Sequence, residues 1–275
     1  MGWVYFRKMF GSNVKLSGLK DFSLVCYKQF LQTLKASDYT VLSLVEFIER
    51  ERNIDKNERL IILRHDIDRN PKRALSIAEI EREFDFRSSY YINSRNGLNH
   101  SKTIKEIISL GHELGYHYSD LTDSKGNVEK AYISFKKNLT ILRQFYDIKT
   151  ISMDGKPLSP YHNLDLWKSY NYRDNAILTE FYQDLDYSLF AYYTDTGRRW
   201  NNDSINIRDK TNTKKNWPTY NSSFEIIKAI KNNSFPTRVV INIHPEHWTK
   251  NVLSWYLKLI WQMFKNIFKY FLRKL

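Results

Sequence analysis

Short apolar runs alternate with stretches of helical spacing along most of this chain. Residues 60–65 (LIILRH) form a continuous apolar run of strand length, typical of a parallel strand buried on both faces. Pro71 stands where a first helical turn begins, and 72–84 have helical spacing. The same patterns predict a strand running into a helix at 40–49, strands at 87–92, 113–118, 149–153, 176–179, 188–193 and 238–243, and helices at 21–34, 102–110, 128–146, 163–170 and 223–231.

The alternation extends from residue 40 to 243, mostly with short connections, which predicts βα units around a parallel sheet. Periodicity alone leaves open whether that sheet closes towards a barrel or is doubly wound. The polar, Asn-rich stretch 200–221 interrupts the pattern, and we expect it to be a loop over one end of the sheet.

The segment 252–272 is separate from this pattern. Its polar residues recur at close to helical period, which predicts an amphipathic helix. The apolar face carries Tyr256, Ile260, Phe264, Ile267 and Phe271, with Trp255 and Trp261 nearer its flanks. Six basic residues and no acidic one occur from 250 to 275. A basic helix of this kind binds in a membrane interface, and the alternative is docking on the main body or on another subunit.

Charge and cysteine content narrow the class of protein. The net charge is +13, but outside the C-terminal segment the excess is spread thinly, without zinc-finger or helix-turn-helix spacing. We therefore expect no nucleic-acid partner; that alternative rests on charge alone. The single cysteine, Cys26, excludes an internal disulfide and fits a reducing compartment. Arg7 and Lys8 interrupt the apolar start, unlike a secretory signal, so we expect a cytoplasmic protein.

Candidate chemistry begins at 64–68 (RHDID). Asp66 and Asp68 are two residues apart at the end of the buried strand, so both side chains point to the same side. Sites in α/β sheets and barrels lie at the carboxyl ends of strands. Two neighbouring carboxylates repel each other unless a cation neutralises them. A metal bound by one, with the other acting as a base, resolves that repulsion; a helix cap with a surface salt bridge is the structural alternative.

Two histidines follow the same logic. His117 lies near the end of the predicted strand 113–118, and His244 follows the last apolar strand, before Pro245. Either histidine alone is more often a structural hydrogen-bonding residue than a ligand. Their position at strand ends that correspond to that of the aspartates favours a metal ligand at His117 and a general acid at His244.

The order Asp-x-Asp, then GHELGYH (111–117), then INIHPEHW (241–248) resembles the polysaccharide deacetylases, the NodB-homology family or carbohydrate esterase family four. MDGKPLS (153–159) and YTDTGRRW (193–200) are similar to a subgroup associated with surface-polysaccharide biosynthesis. The resemblance covers about residues 60 to 248. It implies a distorted, incomplete (β/α) barrel, which we place at 1–249 with the helix at 250–275, and metal-dependent removal of an N-acetyl group from an amino sugar.

The resemblance also implies roles. Asp66 would be the general base, Asp68 and His117 ligands of a divalent metal ion such as zinc, and His244 the acid that protonates the leaving amine. The family's second ligand histidine is replaced by Leu121, and its paired carboxylates are usually adjacent. The nearest replacements for the missing ligand are Asp120, His112 and Asp154; spacing does not choose among them, and we name Asp154 because it follows a predicted strand.

The substrate expected from the resemblance is a carbohydrate, the precursor of a surface polysaccharide. Four residues of one stretch are candidates for lining its pocket: Asp195, Arg198, Arg199 and Trp200. Hydrogen-bonding groups and an indole face suit a pyranose ring. The competing hypothesis is a carbohydrate-binding or assembly protein that keeps the fold without catalysis, as the replacement at Leu121 would allow.

Overall fold

The computed structural model describes residues 20–51, 54–55, 57–200, 211 and 215–272. The predictions for the first 19 residues and most of the predicted loop at 200–221 lie outside these ranges. The strands are β1 (Thr40–Leu42), β2 (Leu60–Ile67), β3 (Ser89–Ile92), β4 (Glu113–Tyr118), β5 (Thr150–Met153), β6 (Thr179–Glu180), β7 (Ala191–Thr194) and β8 (Arg238–Ile243). The α-helices are Leu24–Lys35, Leu44–Arg50, Pro71–Glu83, Ser94–Asn99, Ser101–Ser109, Asp120–Asp123, Val128–Leu142, Phe181–Asp184, Ser223–Lys231 and Val252–Leu272, and 3₁₀ helices cover Asn163–Lys168, Tyr172–Asn175 and Pro245–His247.

Every strand pairing is parallel, and the order is β6-β5-β4-β3-β2-β8-β7, with β1 beside the first half of β2. This order follows the chain cyclically, from β2 to β6 and then from β7 through β8 back to β2, without the reversal of a doubly wound sheet. Within the described ranges β6 and β7 do not pair with each other. The sheet is a distorted, incomplete (β/α) barrel, which confirms the predicted fold.

Alternation along β2 separates the inside of the barrel from its outside. Leu60 and Ile62 pack inward with Phe181, while Ile61 and Leu63 pack outward against helices. All eight residues of β2 are buried, which is why its sequence reads as a continuous apolar run before the polar residues begin.

The inside of the barrel is tightly packed beneath its carboxyl end. A Cβ atom added at Gly115 in β4 would lie 2.4 Å from the ring of Tyr91, so a side chain does not fit there. The hydroxyl of Tyr91 donates to Thr150 Oγ1 over 3.0 Å. Glycine thus lets the tyrosine ring cross the barrel and form a floor under the residues at the strand ends.

The C-terminal helix Val252–Leu272 forms over the predicted residues. Trp255 in its first turn is buried, and its indole Nε1 donates to the backbone oxygen of Asp21 over 2.5 Å. Other apolar side chains of this helix are exposed to solvent: Leu253, Tyr256, Leu257, Ile260 and Trp261. In the described part of the chain, helices that combine the length and apolarity needed to cross a membrane are absent.

Candidate metal and acid–base site

Three predicted metal ligands meet at the carboxyl end of neighbouring strands. Asp68 follows β2, His117 lies in β4 and Asp154 follows β5 directly. Each offers one donor atom, and these three atoms all lie within 4.8 Å of one another. His117 Nε2 and Asp68 Oδ1 lie 3.4 Å apart. Parallel strands bring their ends to one rim, so residues far apart in sequence form one cluster.

The cluster fits a divalent metal ion. Two ligand atoms at zinc bond lengths of about 2.1 Å stand roughly 3.4 Å apart in a tetrahedral site, and His117 Nε2 and Asp68 Oδ1 are 3.4 Å apart. His117 Nδ1 donates to the backbone oxygen of Ser152 over 3.1 Å, which leaves Nε2 as the ligand atom. One imidazole and two carboxylates are a donor set that zinc and similar divalent ions accept.

Electrostatics favour positive charge at this cluster. Burial by itself lowers the pKa of His117, but Asp66 and Asp68 outweigh it and raise the pKa to about 9. Burial by itself raises the pKa of Asp68, but the hydrogen bond to His117 and neighbouring cations hold it well below its usual range. Without a metal, His117 therefore carries a proton at neutral pH and itself neutralises part of the carboxylate charge.

Asp66, the predicted base, lies beside this cluster on the inner face of β2. Its Oδ1 accepts from Arg64 Nη2 at 2.5 Å, and its Oδ2 accepts from Asn242 Nδ2 at 2.9 Å. Burial by itself raises the pKa of Asp66, but Arg64, then His117 and His244, hold the pKa below its usual range. Asp66 is therefore ionised at neutral pH and fixed by two donors.

His244, the predicted acid, is held by Asp195. Asp195 Oδ1 accepts from His244 Nδ1 at 2.7 Å and from its backbone nitrogen at 2.9 Å, and Oδ2 accepts from Trp248 Nε1 at 2.8 Å. His244 Nε2 then faces Asp66 Oδ2 at 4.0 Å. Burial by itself lowers the pKa of His244, but Asp195, followed by Asp68 and Asp66, raises it well above its ordinary value. His244 therefore holds a proton at neutral pH.

Asp195, His244 and His247 are also close enough to be considered as a metal-binding group. Both oxygens of Asp195 already accept hydrogen bonds from nitrogen donors, and the carboxylate is fully buried. Burial lowers the pKa of His247 to about 4, against the opposing effect of Asp195, so this imidazole is neutral. The arrangement is suited to orienting His244 and stabilising its charged form.

The stretch predicted to line a substrate pocket is mostly buried, and three of its side chains bond within the protein. Asp195 is 0% exposed and holds His244. Arg198 is 3% exposed, lies over the rings of Phe22 and Trp255, and donates to the backbone oxygen of Trp255. Trp200 packs on Phe22, and its Nε1 donates to a serine hydroxyl. Arg199 is half-buried. Arg199 is the most exposed of the four side chains, and a pocket lined by this stretch stays a prediction.

The structure also separates the alternatives for the third ligand. Asp120 is buried and accepts from Tyr116, Ser134 and Asn138, away from the cluster. His112 faces the outer side of the sheet, where Nε2 contacts the backbone oxygen of Ala78. Leu121, at the position of the missing histidine, is buried in the apolar core. Of the three candidates, Asp154 is the one that lies with Asp68 and His117.

Three residues at the site were not singled out from the sequence: Arg64, Asn242 and Lys156. Arg64 and Asn242 had a signal, because each lies two residues before a predicted site residue on a strand and so shares its face. Lys156, whose Nζ lies 2.6 Å from Asp154 Oδ2, follows a strand in a turn, where no periodicity predicts side-chain direction.

No protein-family model matches this chain, and no curated protein matches it. Among solved structures it is similar to a CE4 family pseudoenzyme from Bacillus anthracis, with 11% identity, TM-score 0.44 and coverage of 77% of this chain and 62% of that one. It is also similar to peptidoglycan deacetylase PdaC from Bacillus subtilis, with 12% identity, TM-score 0.43 and coverage of 77% and 87%. A third is deacetylase PplD from Streptococcus pyogenes, with 19% identity, TM-score 0.40 and coverage of 54% and 70%.

These matched chains are CE4 family members or deacetylases by their descriptions. The chain spans less than two thirds of the length of the Bacillus anthracis protein.

Proposed function

We propose that this protein is a metal-dependent hydrolase that removes an N-acetyl group from an amino sugar. The observation that carries the proposal is one rim of the barrel on which two clusters stand side by side. Asp68, His117 and Asp154 form a cluster suited to a divalent ion, and Asp66 with His244 forms an acid–base pair. Amide hydrolysis needs these two functions together.

A divalent ion held by Asp68, His117 and Asp154, with zinc as our first choice, would supply Lewis acidity towards an amide carbonyl and towards water. Asp66 acts as the general base, because it is ionised, held by Arg64, and lies on the same rim. Arg64 and Asn242 are positioning residues that fix the two oxygens of Asp66.

His244 provides the proton for the leaving amine. The raised pKa keeps His244 protonated at neutral pH, and the hydrogen bond to Asp195 turns Nε2 towards Asp66. Once the proton is donated, Asp195 still stabilises the correct orientation of the ring. An acid and an ionised base whose atoms stand 4.0 Å apart suit a reaction that takes a proton from water and gives one to nitrogen.

The substrate we propose is a carbohydrate, a precursor in surface-polysaccharide or lipopolysaccharide biosynthesis. The supports are the resemblance of the sequence motifs and the net charge of +13, which suits a sugar linked to a phosphate-bearing carrier. A cytoplasmic location stays a prediction, which the single cysteine supports.

A non-catalytic carbohydrate-binding or assembly protein is the second candidate. The observation that favours it is Leu121, which is buried in the apolar core where the resemblance calls for a ligand histidine. Under this hypothesis the remaining polar residues serve binding alone.

Metal content and acetate release decide between the two candidates. We expect near-stoichiometric divalent ion by elemental analysis of the purified chain, and loss of that ion in an Asp68→Ala, His117→Ala double variant. The metal-loaded chain should release acetate from N-acetylated amino sugars, offered free, nucleotide-linked and lipid-phosphate-linked. If the chain bound metal but released acetate from none of these sugars, the binding protein would be favoured. If it bound no metal even after incubation with zinc, the hydrolase hypothesis would be refuted.

We also propose peripheral contact between the helix Val252–Leu272 and an anionic membrane surface. Its exposed face carries Leu253, Leu257 and Ile260, which are 71, 61 and 50% exposed, beside a segment with six basic residues and no acidic one. Apolar insertion and attraction to anionic lipid act together on such a helix.

Changing Leu253, Leu257 and Ile260 to serine should weaken sedimentation with phosphatidylglycerol vesicles more than about tenfold. A matched control changes three equally exposed apolar residues elsewhere to serine: Ile133, Leu158 and Leu189. Equal binding by both triple variants would refute the proposal. Neither change touches Trp255, which anchors the helix to the barrel.

A further inference from the structure

One lysine holds both oxygens of a candidate metal ligand. Lys156 Nζ lies 2.6 Å from Asp154 Oδ2, and the Lys156 backbone nitrogen donates to Oδ1 over 3.2 Å. The side chain of Asp154 is 18% exposed and that of Lys156 40% exposed. The carboxylate that the metal cluster needs is therefore paired, in the metal-free protein, with an ammonium group of the same chain.

The turn around this pair fixes the backbone of both residues. Lys156 has φ +37°, in the left-handed region that a residue with a side chain rarely adopts. Its backbone oxygen accepts from the nitrogen of Ser159 over 2.9 Å. Asp154 is fixed on both sides, because its nitrogen donates to Tyr118 and its oxygen accepts from Asn163 Nδ2. The backbone thus fixes Asp154, and the flexible part of the pair is the Lys156 side chain.

We propose that the Lys156 ammonium is an internal competitor of the metal, which leaves Asp154 Oδ2 when a divalent ion binds and so sets the affinity of the centre. This inference rests on the proposed metal centre. A cation bonded to Oδ2 at about 2.1 Å would lie close to an ammonium 2.6 Å from the same oxygen. Like charges at that separation repel strongly in a partly buried site. The long stem of Lys156 lets its head swing into solvent.

The pair Asp147 and Lys149 is a natural control. It has the same order and spacing in the chain, and Lys149 Nζ lies 2.9 Å from Asp147 Oδ2. The side chain of Asp147 is 71% exposed, and neither residue belongs to the cluster. Replacing either lysine by methionine removes one positive charge from the protein. Only the change at Lys156 also removes the proposed competitor of the metal.

The experiment measures Zn²⁺ affinity by competition with a chromogenic chelator. Lys156→Met keeps an unbranched apolar stem and removes the charge, and should bind Zn²⁺ about threefold to tenfold more tightly than the unchanged chain. Lys156→Arg keeps the charge and should bind as the unchanged chain does, and so should Lys149→Met. Circular dichroism and a thermal melt establish that each variant is folded.

The outcomes separate this inference from the proposed function. Tighter binding by Lys156→Met alone supports the competitor, and so does binding by that variant when the unchanged chain binds no zinc. Equal or weaker binding by Lys156→Met overturns the competitor and leaves the metal centre standing. An absence of zinc binding in every variant overturns the centre itself, and the competitor with it.

Discussion

Strand β2 carries two histidine–carboxylate systems on its opposite faces, and they differ in how many hydrogen bonds their carboxylates accept and in whether their side chains reach solvent. His65 points outward to Glu81 on the helix Pro71–Glu83, with His65 Nε2 and Glu81 Oε1 2.7 Å apart and both side chains 0% exposed. The next residue, Asp66, points inward to His244, at 4.0 Å. Adjacent residues of one strand thus enter two different environments.

The outer system is closed. Besides His65, the carboxylate of Glu81 accepts hydrogen bonds from three hydroxyl groups, those of Tyr27, Ser88 and Tyr90. All of these side chains are buried. A buried charge that is fully paired stabilises one packing arrangement and leaves no lone pair for a ligand.

The inner system is open. The side chain of His244 is 12% exposed and that of Asp68 is 37% exposed. The contacts of His244 with Asp66 and of His117 with Asp68 are 4.0 and 3.4 Å, long enough to leave room for a reacting group or an ion. The comparison teaches that a histidine beside a carboxylate indicates chemistry only where it reaches solvent with its bonding unsaturated.

The largest expected effect falls on catalysis by the inner system. His244→Gln should lower the rate of acetate release about 10²- to 10⁴-fold, because the leaving amine loses its proton donor. Zinc content should be unchanged. His100→Gln, a change at a half-buried histidine outside both systems, is the control and should have no effect. Equal rates for the two variants would remove His244 from the mechanism.

The next effect falls on stability through the outer system. Glu81→Gln should lower the free energy of unfolding in urea by about 3–5 kcal/mol, because it removes one partner of a buried charged network. Glu79→Gln, on the exposed side of the same helix, should change it by less than about 0.5 kcal/mol. If Glu81→Gln abolished zinc binding and left stability unchanged, the structural role of the outer system would be contradicted.

The outer system also has a signature in pH. Burial by itself raises the pKa of Glu81, but His65 and then His112 outweigh it and lower the pKa to about 2. A lowered pKa stabilises the folded state above the ordinary pKa of 4.5, and that contribution is lost as the pH falls towards 2. Urea unfolding between pH 5 and 3 should therefore show a smaller loss of stability in Glu81→Gln than in the unchanged chain.

The smallest effect concerns proton release at the metal cluster. His117 has a pKa of about 9 without metal and must lose its proton to bind zinc, so zinc affinity should rise about tenfold for each unit by which the pH increases, up to that value. Chelator competition at several pH values between 6.5 and 8.5 measures the slope. In the metal-free protein the same raised pKa stabilises the fold below pH 6.5, and this contribution is lost as the pH rises through 9. A flat profile would contradict the role of His117 as a ligand.

The fold was predictable because the strands are buried on both faces and therefore carry unbroken apolar runs, as in β2 and β8. The positions of Asp68 and His117 followed from the rule that parallel strands end at one rim. The role of Asp195 did not follow, since its partner His244 is 49 residues away and the direction of its carboxylate depends on two loops. Helix 128–146 was predicted too long; it ends at Leu142, where turn bonds replace the helical ones.

The buried indole of Trp255 has a practical consequence for work on a shortened chain. The backbone oxygen of Trp255 accepts a hydrogen bond from Arg198, and the indole ring packs beside Asp21. A chain cut just before the helix would lose this plug and leave an indole-sized hole, which costs about 3–5 kcal/mol when a tryptophan is truncated. A chain shortened for crystallisation or expression should keep the first three turns of the C-terminal helix, through the buried Gln262, and end after them.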